Sequence, residues 1–135
     1  MMKIFVDTNI ILDVLLKREG YVEAAKVLLV GSQDDGALCT SVLSMANVAY
    51  ILRKKLQGDA LYVELGKLSK FVITVGLSAE DYEQALQLKA KDFEDALQYF
   101  CALSNECTAI VTRNKKDFKY NTIKVLSPEE FLREF

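Results

Sequence analysis

Short apolar runs that give out in polar residues alternate with segments of helical spacing along the whole chain, and this alternation restricts the fold more than any other feature. The apolar runs predict strands at Lys3–Val6, Ala37–Cys39, Phe71–Val75, Ala109–Val111 and Ile123–Leu126. Between them, 3.6-residue spacing predicts helices over Ile10–Leu16, Val22–Val30, Val42–Leu56, Asp59–Lys70, Ser78–Lys89 and Asp92–Ser104. Ser127-Pro128-Glu129-Glu130 opens a last helix, with an N-cap, a proline at the first position and acids in the first turn. On the helix opened by Asp92, the expected apolar stripe is Phe93, Ala96, Leu97, Phe100 and Cys101. The tyrosines and phenylalanines fall mainly on such stripes and are expected in the core. Strands alternating with helices predict an α/β fold: a mostly parallel sheet of four or five strands, covered by helices on both faces. No linker, repeat or low-complexity stretch divides residues 1–135, so one domain is expected.

Composition narrows the chemistry. The chain is 51% apolar, enough to build a core without disulfide or metal staples. Its three cysteines form no CxxC pair, and Cys101 lies in an apolar run, so neither a zinc site nor a disulfide framework is indicated. Histidine is absent, which removes the commonest general base together with the Ser-His and Cys-His nucleophile systems. No apolar run approaches the roughly 20 residues of a membrane span, and the N-terminus lacks a signal-peptide layout. A soluble, cytoplasmic protein with no membrane partner is expected. The net charge of −2 means that any polyanion partner must be met by local basic patches or through bound cations.

In open parallel sheets, ligands bind beyond the carboxyl ends of the strands. Val6-Asp7-Thr8-Asn9 follows the first strand, and Thr112-Arg113-Asn114-Lys115-Lys116-Asp117-Phe118 follows the Ala109–Val111 strand. A third polar group, Asp92-Phe93-Glu94-Asp95, opens the helix just before that strand, with Asp92 and Asp95 on one face. Each has a plainer reading. Asp7 is a turn or capping residue, Asp92 an N-cap, Asp117 a turn acid, and Asp13 a solvated acid or one standing behind the ligands. The basic runs Arg53-Lys54-Lys55 and Lys115-Lys116-Lys119 are solvated charge by default.

Taken together, Ile4-Phe5-Val6-Asp7-Thr8-Asn9, Asp95-Ala96-Leu97-Gln98 and Thr112-Arg113-Asn114-Lys115-Lys116-Asp117-Phe118 resemble, in this order, the motifs of the PIN-domain family. That family comprises small nucleases, including toxins of bacterial toxin–antitoxin pairs. The resemblance covers essentially the whole chain and implies a three-layer fold and a divalent-metal-dependent ribonuclease. Asp7, Asp95 and Asp117 would be its catalytic metal ligands, holding Mg²⁺ or Mn²⁺, which take oxygen donors and activate water for phosphodiester hydrolysis. Asn9, Asn47, Asp92 and Asn114 would complete the pocket, and Arg113, Lys115 and Lys116 would meet RNA phosphates. RNA, single-stranded or structured, an antitoxin-like protein and a second copy of the chain are the implied partners. The chain departs from the family at one place: Asn47 stands where a glutamate is expected. One negative charge fewer would weaken metal binding. The competing reading is a non-catalytic or weakly active module that binds RNA or a protein.

Overall fold

The computed structural model describes residues 3–33, 37–118 and 122–134, with the side chain of Asp117 outside that description. Five strands, β1 (Ile4–Val6), β2 (Leu38–Ser41), β3 (Ile73–Val75), β4 (Ala109–Val111) and β5 (Lys124–Leu126), form one sheet in the order β3-β2-β1-β4-β5. Every pairing is parallel. Seven α-helices occur among the described residues: α1 (Thr8–Leu15), α2 (Tyr21–Gly31), α3 (Val42–Leu52), α4 (Asp59–Leu68), α5 (Ala79–Leu88), α6 (Phe93–Ser104) and α7 (Pro128–Glu134).

The central strand explains the three layers. Side chains alternate between the faces of a strand, and in β1 all three are buried. Ile4 and Val6 join a core with residues of α1, α2, α3 and α7, whereas Phe5 joins a second core with Tyr99, Cys101 and Ala102 of α6. A strand apolar on both faces must be covered on both, which suits an all-parallel sheet. Cys39 and Cys107, read as unpaired, are free thiols in the second core with sulfurs 3.3 Å apart.

Three expectations are corrected. The Leu38–Ser41 strand runs two residues beyond the apolar run, because Thr40 and Ser41 are wholly buried and satisfied by hydrogen bonds: Thr40 donates to the Val6 carbonyl, and Ser41 accepts from Ser44 N–H. On α6 the buried face takes in Gln98 and Tyr99, while Phe93 lies exposed. The aromatic residues are not mainly core: Tyr21, Tyr50, Tyr62, Phe71, Tyr82 and Phe93 are all exposed. Helical spacing identifies a face but not whether another element reaches far enough along the helix to cover it.

Candidate active site

Register assembles the centre of the site. Val6 of β1 lies beside Val111 of β4 in parallel pairing, so the next residues, Asp7 and Thr112, emerge side by side at the carboxyl ends of the two strands. The Asp7 N–H completes the ladder by donating to the Val111 carbonyl at 3.0 Å. Thr112, itself wholly buried, donates its hydroxyl to Asp7 Oδ2 at 2.8 Å and accepts from the Asn114 N–H at 3.1 Å. Asp7 occupies the N-cap position of α1, yet its carboxylate makes no capping bond. The plainer reading of Asp7 as a helix cap therefore fails. Burial raises its pKa, partly opposed by the hydrogen bonds from Thr112 and the Thr8 backbone, and the nearby charge of Glu94 raises it further.

A cleft of about 420 Å³ opens beside Asp7, lined by residues of α1, α3 and the start of α6. Asp7, Asn9, Asn47, Asp92 and Asp95 all line it. Asp92 also caps α6, its Oδ1 accepting from the Asp95 N–H at 3.0 Å. Glu94 and Tyr50 also line the cleft, though neither was assigned to the site from sequence. Glu94 accepts a 2.8 Å hydrogen bond from the Asn47 amide, and Tyr50 stands exposed at the rim with the Arg53 guanidinium 4.0 Å over its ring. The only sequence signal for Glu94 was its membership of the acidic run at the start of α6.

Behind the cleft a buried relay ties three helices together. Thr8 donates to Ser44 at 2.8 Å, Ser44 stands 3.2 Å from Ser41, and Ser41 donates to the Gln98 carbonyl oxygen at 2.7 Å. Gln98, one turn after Asp95 on α6, is 1% exposed. The relay thereby fixes the helix that carries Glu94 and Asp95 against those that carry Asn9 and Asn47. The hydroxyls and the Gln98 oxygen are paired along this chain, while the Gln98 Nε2 is buried without a hydrogen-bond partner among the described residues.

Asp117 ends a 3-10 turn, Lys115–Asp117, after β4, but its carboxylate lies outside the described residues, so its approach to Asp7 is not part of the observed geometry. Two basic residues of this segment are engaged elsewhere, and Lys119, which follows it, lies outside the described residues. Arg113 Nε pairs with Asp13 at 2.6 Å, and Lys115 donates to Glu130 at 2.7 Å. Lys115 and the Ser127 backbone hold the Glu130 pKa down at about 2. Lys116 is exposed and has no carboxylate partner among the described residues. Asp13, read as solvated or as standing behind the ligands, is wholly buried, which removes the first of these readings. Burial raises its pKa even though Arg113 and Arg18 pull it down.

The atoms in the cleft able to ligate a metal are all oxygens, from carboxylates, amides and hydroxyls, which suits a hard divalent cation. Among the described residues no three acidic, histidine or cysteine side chains are already grouped closely enough to hold a metal ion. That arrangement is compatible with Mg²⁺, which keeps several waters and uses one or two carboxylates together with substrate phosphates.

Comparisons with known proteins agree with this architecture. The PIN domain family matches residues 3–116. Ribonuclease VapC1 of Aquifex aeolicus (strain VF5) is 32% identical over 138 residues, covering 96% of this chain and 92% of that protein. Among solved structures, VapBC2 from Rickettsia felis bound to a promoter DNA fragment superposes with a TM-score of 0.73 at 17% identity, over 93% of this chain and 98% of that one. A toxin–antitoxin complex from Klebsiella pneumoniae gives 0.70 at 24% identity, with coverage of 93% and 98%. With the family match spanning most of its length and the sheet carrying Asp7 at its centre, the chain belongs to the PIN-domain family.

Proposed function

We propose that this PIN-domain protein is a divalent-metal-dependent ribonuclease that hydrolyses RNA phosphodiesters at the cleft beside Asp7. One observation carries the reading: a buried carboxylate, unused as a helix cap, sits at the carboxyl end of the central strand and shares a cleft with Asp95. The 32% identity to a ribonuclease along nearly the whole chain supports it. Asp7, Asp95 and Asp117 would hold Mg²⁺ or Mn²⁺. The chemistry such a cation supplies when bound is activation of water and neutralisation of charge on the phosphate. Thr112 orients Asp7 and favours its ionised form. The amides of Asn9 and Asn47 offer neutral polar groups to a backbone that carboxylates alone would repel, whereas Asn114, also expected there, is not among the residues that line the cleft. Lys116 is exposed and pairs with no carboxylate among the described residues, and Tyr50 offers an exposed ring beside the cleft on which an unpaired base can stack. The non-catalytic alternative rests on Asn47, and Glu94 hydrogen-bonded to it argues against that alternative by adding a carboxylate to the cleft.

An antitoxin-like protein is the proposed macromolecular partner. An apolar groove of about 290 Å³, lined by Val14, Leu15, Leu28, Leu29, Leu68 and Phe71, offers a surface that an apolar segment of such a protein would cover. The complexes formed by its structural relatives support that choice. A second copy of the chain is the other proposed partner.

The nuclease reading is tested with single-stranded RNA. Cleavage is expected with Mg²⁺ or Mn²⁺, none in EDTA, and recovery when the cation is returned. Equal cleavage with and without chelator removes the metal from the proposal, and no cleavage of any RNA with either cation leaves the binding-module reading.

A further inference from the structure

Asn47 and Glu94 lie on different helices, 47 residues apart, and meet in the same cleft as Asp7 and Asp95. The Asn47 amide donates to Glu94 Oε1 at 2.8 Å. Among the described residues no lysine or arginine pairs with Glu94. Its carboxylate is thus held in place by a neutral group and left with its charge uncompensated, on the wall of an all-oxygen cleft. An exposed glutamate at the start of a helix is ordinarily explained by the helix dipole. That explanation accounts for its position but not for an amide from another helix holding it. A carboxylate at position 47 could not do so, since two ionised groups at this separation repel.

We infer that Glu94 is a further cation-holding carboxylate of the cleft, directly or through water, and that Asn47 is its positioning residue. This inference rests on the metal-dependent reading above. The negative charge expected from α3 is supplied instead from α6, and the amide on α3 is the complement that lets it stand there. The earlier expectation of a pocket one charge short is thereby revised: Asn47 does not leave the cleft depleted, because Glu94 restores the count.

Calorimetric titration with Mn²⁺, free of RNA, tests this. Glu94→Gln is nearly isosteric, and its amide oxygen can still accept from Asn47, so the contact survives while the charge is lost. Its Mn²⁺ affinity should fall about 10–100-fold. The double variant Asn47→Glu with Glu94→Gln places the charge on α3 and the amide on α6, and should recover most of the lost affinity. A purely structural role for Glu94 predicts no such recovery. Melting curves in EDTA establish that each variant is folded. Unchanged affinity in Glu94→Gln, or a double variant no better than the single one, overturns the inference. If Asp7→Asn or Asp95→Asn abolishes Mn²⁺ binding while Glu94→Gln does not, Glu94 is excluded and the metal-dependent reading stands. Wild-type protein that binds no Mn²⁺ overturns both.

Discussion

Asp7→Asn is expected to melt at a higher temperature than the wild type in metal-free buffer at neutral pH, while cleaving RNA at least about 100-fold more slowly. Both effects have one origin. Asp7 is buried, and burial raises its pKa above the ordinary 3.8. The folded protein then binds this proton more tightly than the unfolded chain does. Its contribution to stability is most favourable at low pH and declines as the pH rises through the folded-state pKa. At neutral pH, above the ordinary value that the unfolded chain keeps, the buried carboxyl is a cost that the fold bears. Asparagine removes the charge, and its amide oxygen can still accept the Thr112 hydroxyl. The same charge is what attracts a cation, so adding Mn²⁺ should raise the melting temperature of the wild type and leave the variant nearly unmoved. Thermal melts in EDTA and in Mn²⁺, paired with an RNA cleavage assay, check this. An Asp7→Asn protein that melts lower in EDTA would mean that the carboxylate is a structural anchor.

The second large effect lies outside the cleft. Arg113→Met should destabilise the protein by about 3 kcal/mol at pH 7, because removing one partner of a buried ion pair strands the other's charge. This is the lower end of the usual range, since the Arg113 side chain is 41% exposed while that of Asp13 is 0%. Neither Asp13 oxygen accepts a well-aligned hydrogen bond from the described residues, so Arg113 is its main compensation. The cost should shrink on acidification. The Asp13 pKa is already raised by burial, and loss of Arg113 lets it rise further. As pH falls through that value the carboxylate takes up a proton and the stranded charge disappears. Urea denaturation of Arg113→Met at pH 7 and near pH 5 measures both the cost and its pH dependence. A cost that is small at pH 7, or that grows toward acid pH, contradicts the role given to the pair.

The inner strands were legible because parallel strands buried on both faces leave near-continuous apolar runs. Ala109–Val111 matches its predicted bounds, and Ile4–Val6 differs by one residue. Helix starts were legible where a side chain satisfies the first N–H groups. Ser78 starts the helix expected there, and with Asp81 it forms a full capping box. Asp7 was legible because it stands where a strand gives out, and Asp92 and Asp95 because they share a face at the start of a helix. Three things were not. Thr112 bonds to Asp7 only because β1 and β4 are neighbours in register, and strand order is not written in either strand. Asp13 looks like a surface acid until Arg113 is brought beside it. Glu94 is a routine first-turn acid in sequence, and only the packing of α6 against α3 gives it Asn47 as a partner. Each depends on which elements meet, whereas periodicity reports only which faces are able to.

The most direct test of the account is where a cation sits. Crystals grown or soaked with Mn²⁺, with data recorded at its absorption edge, locate the ion by anomalous scattering. The account predicts a peak in the cleft of Asp7, Glu94 and Asp95, with an Asp7 carboxylate oxygen in direct contact at about 2.1 Å or joined through one bound water. A fully loaded crystal whose Mn²⁺ ions lie only on other surfaces, with Asp7 touching none of them, would contradict it.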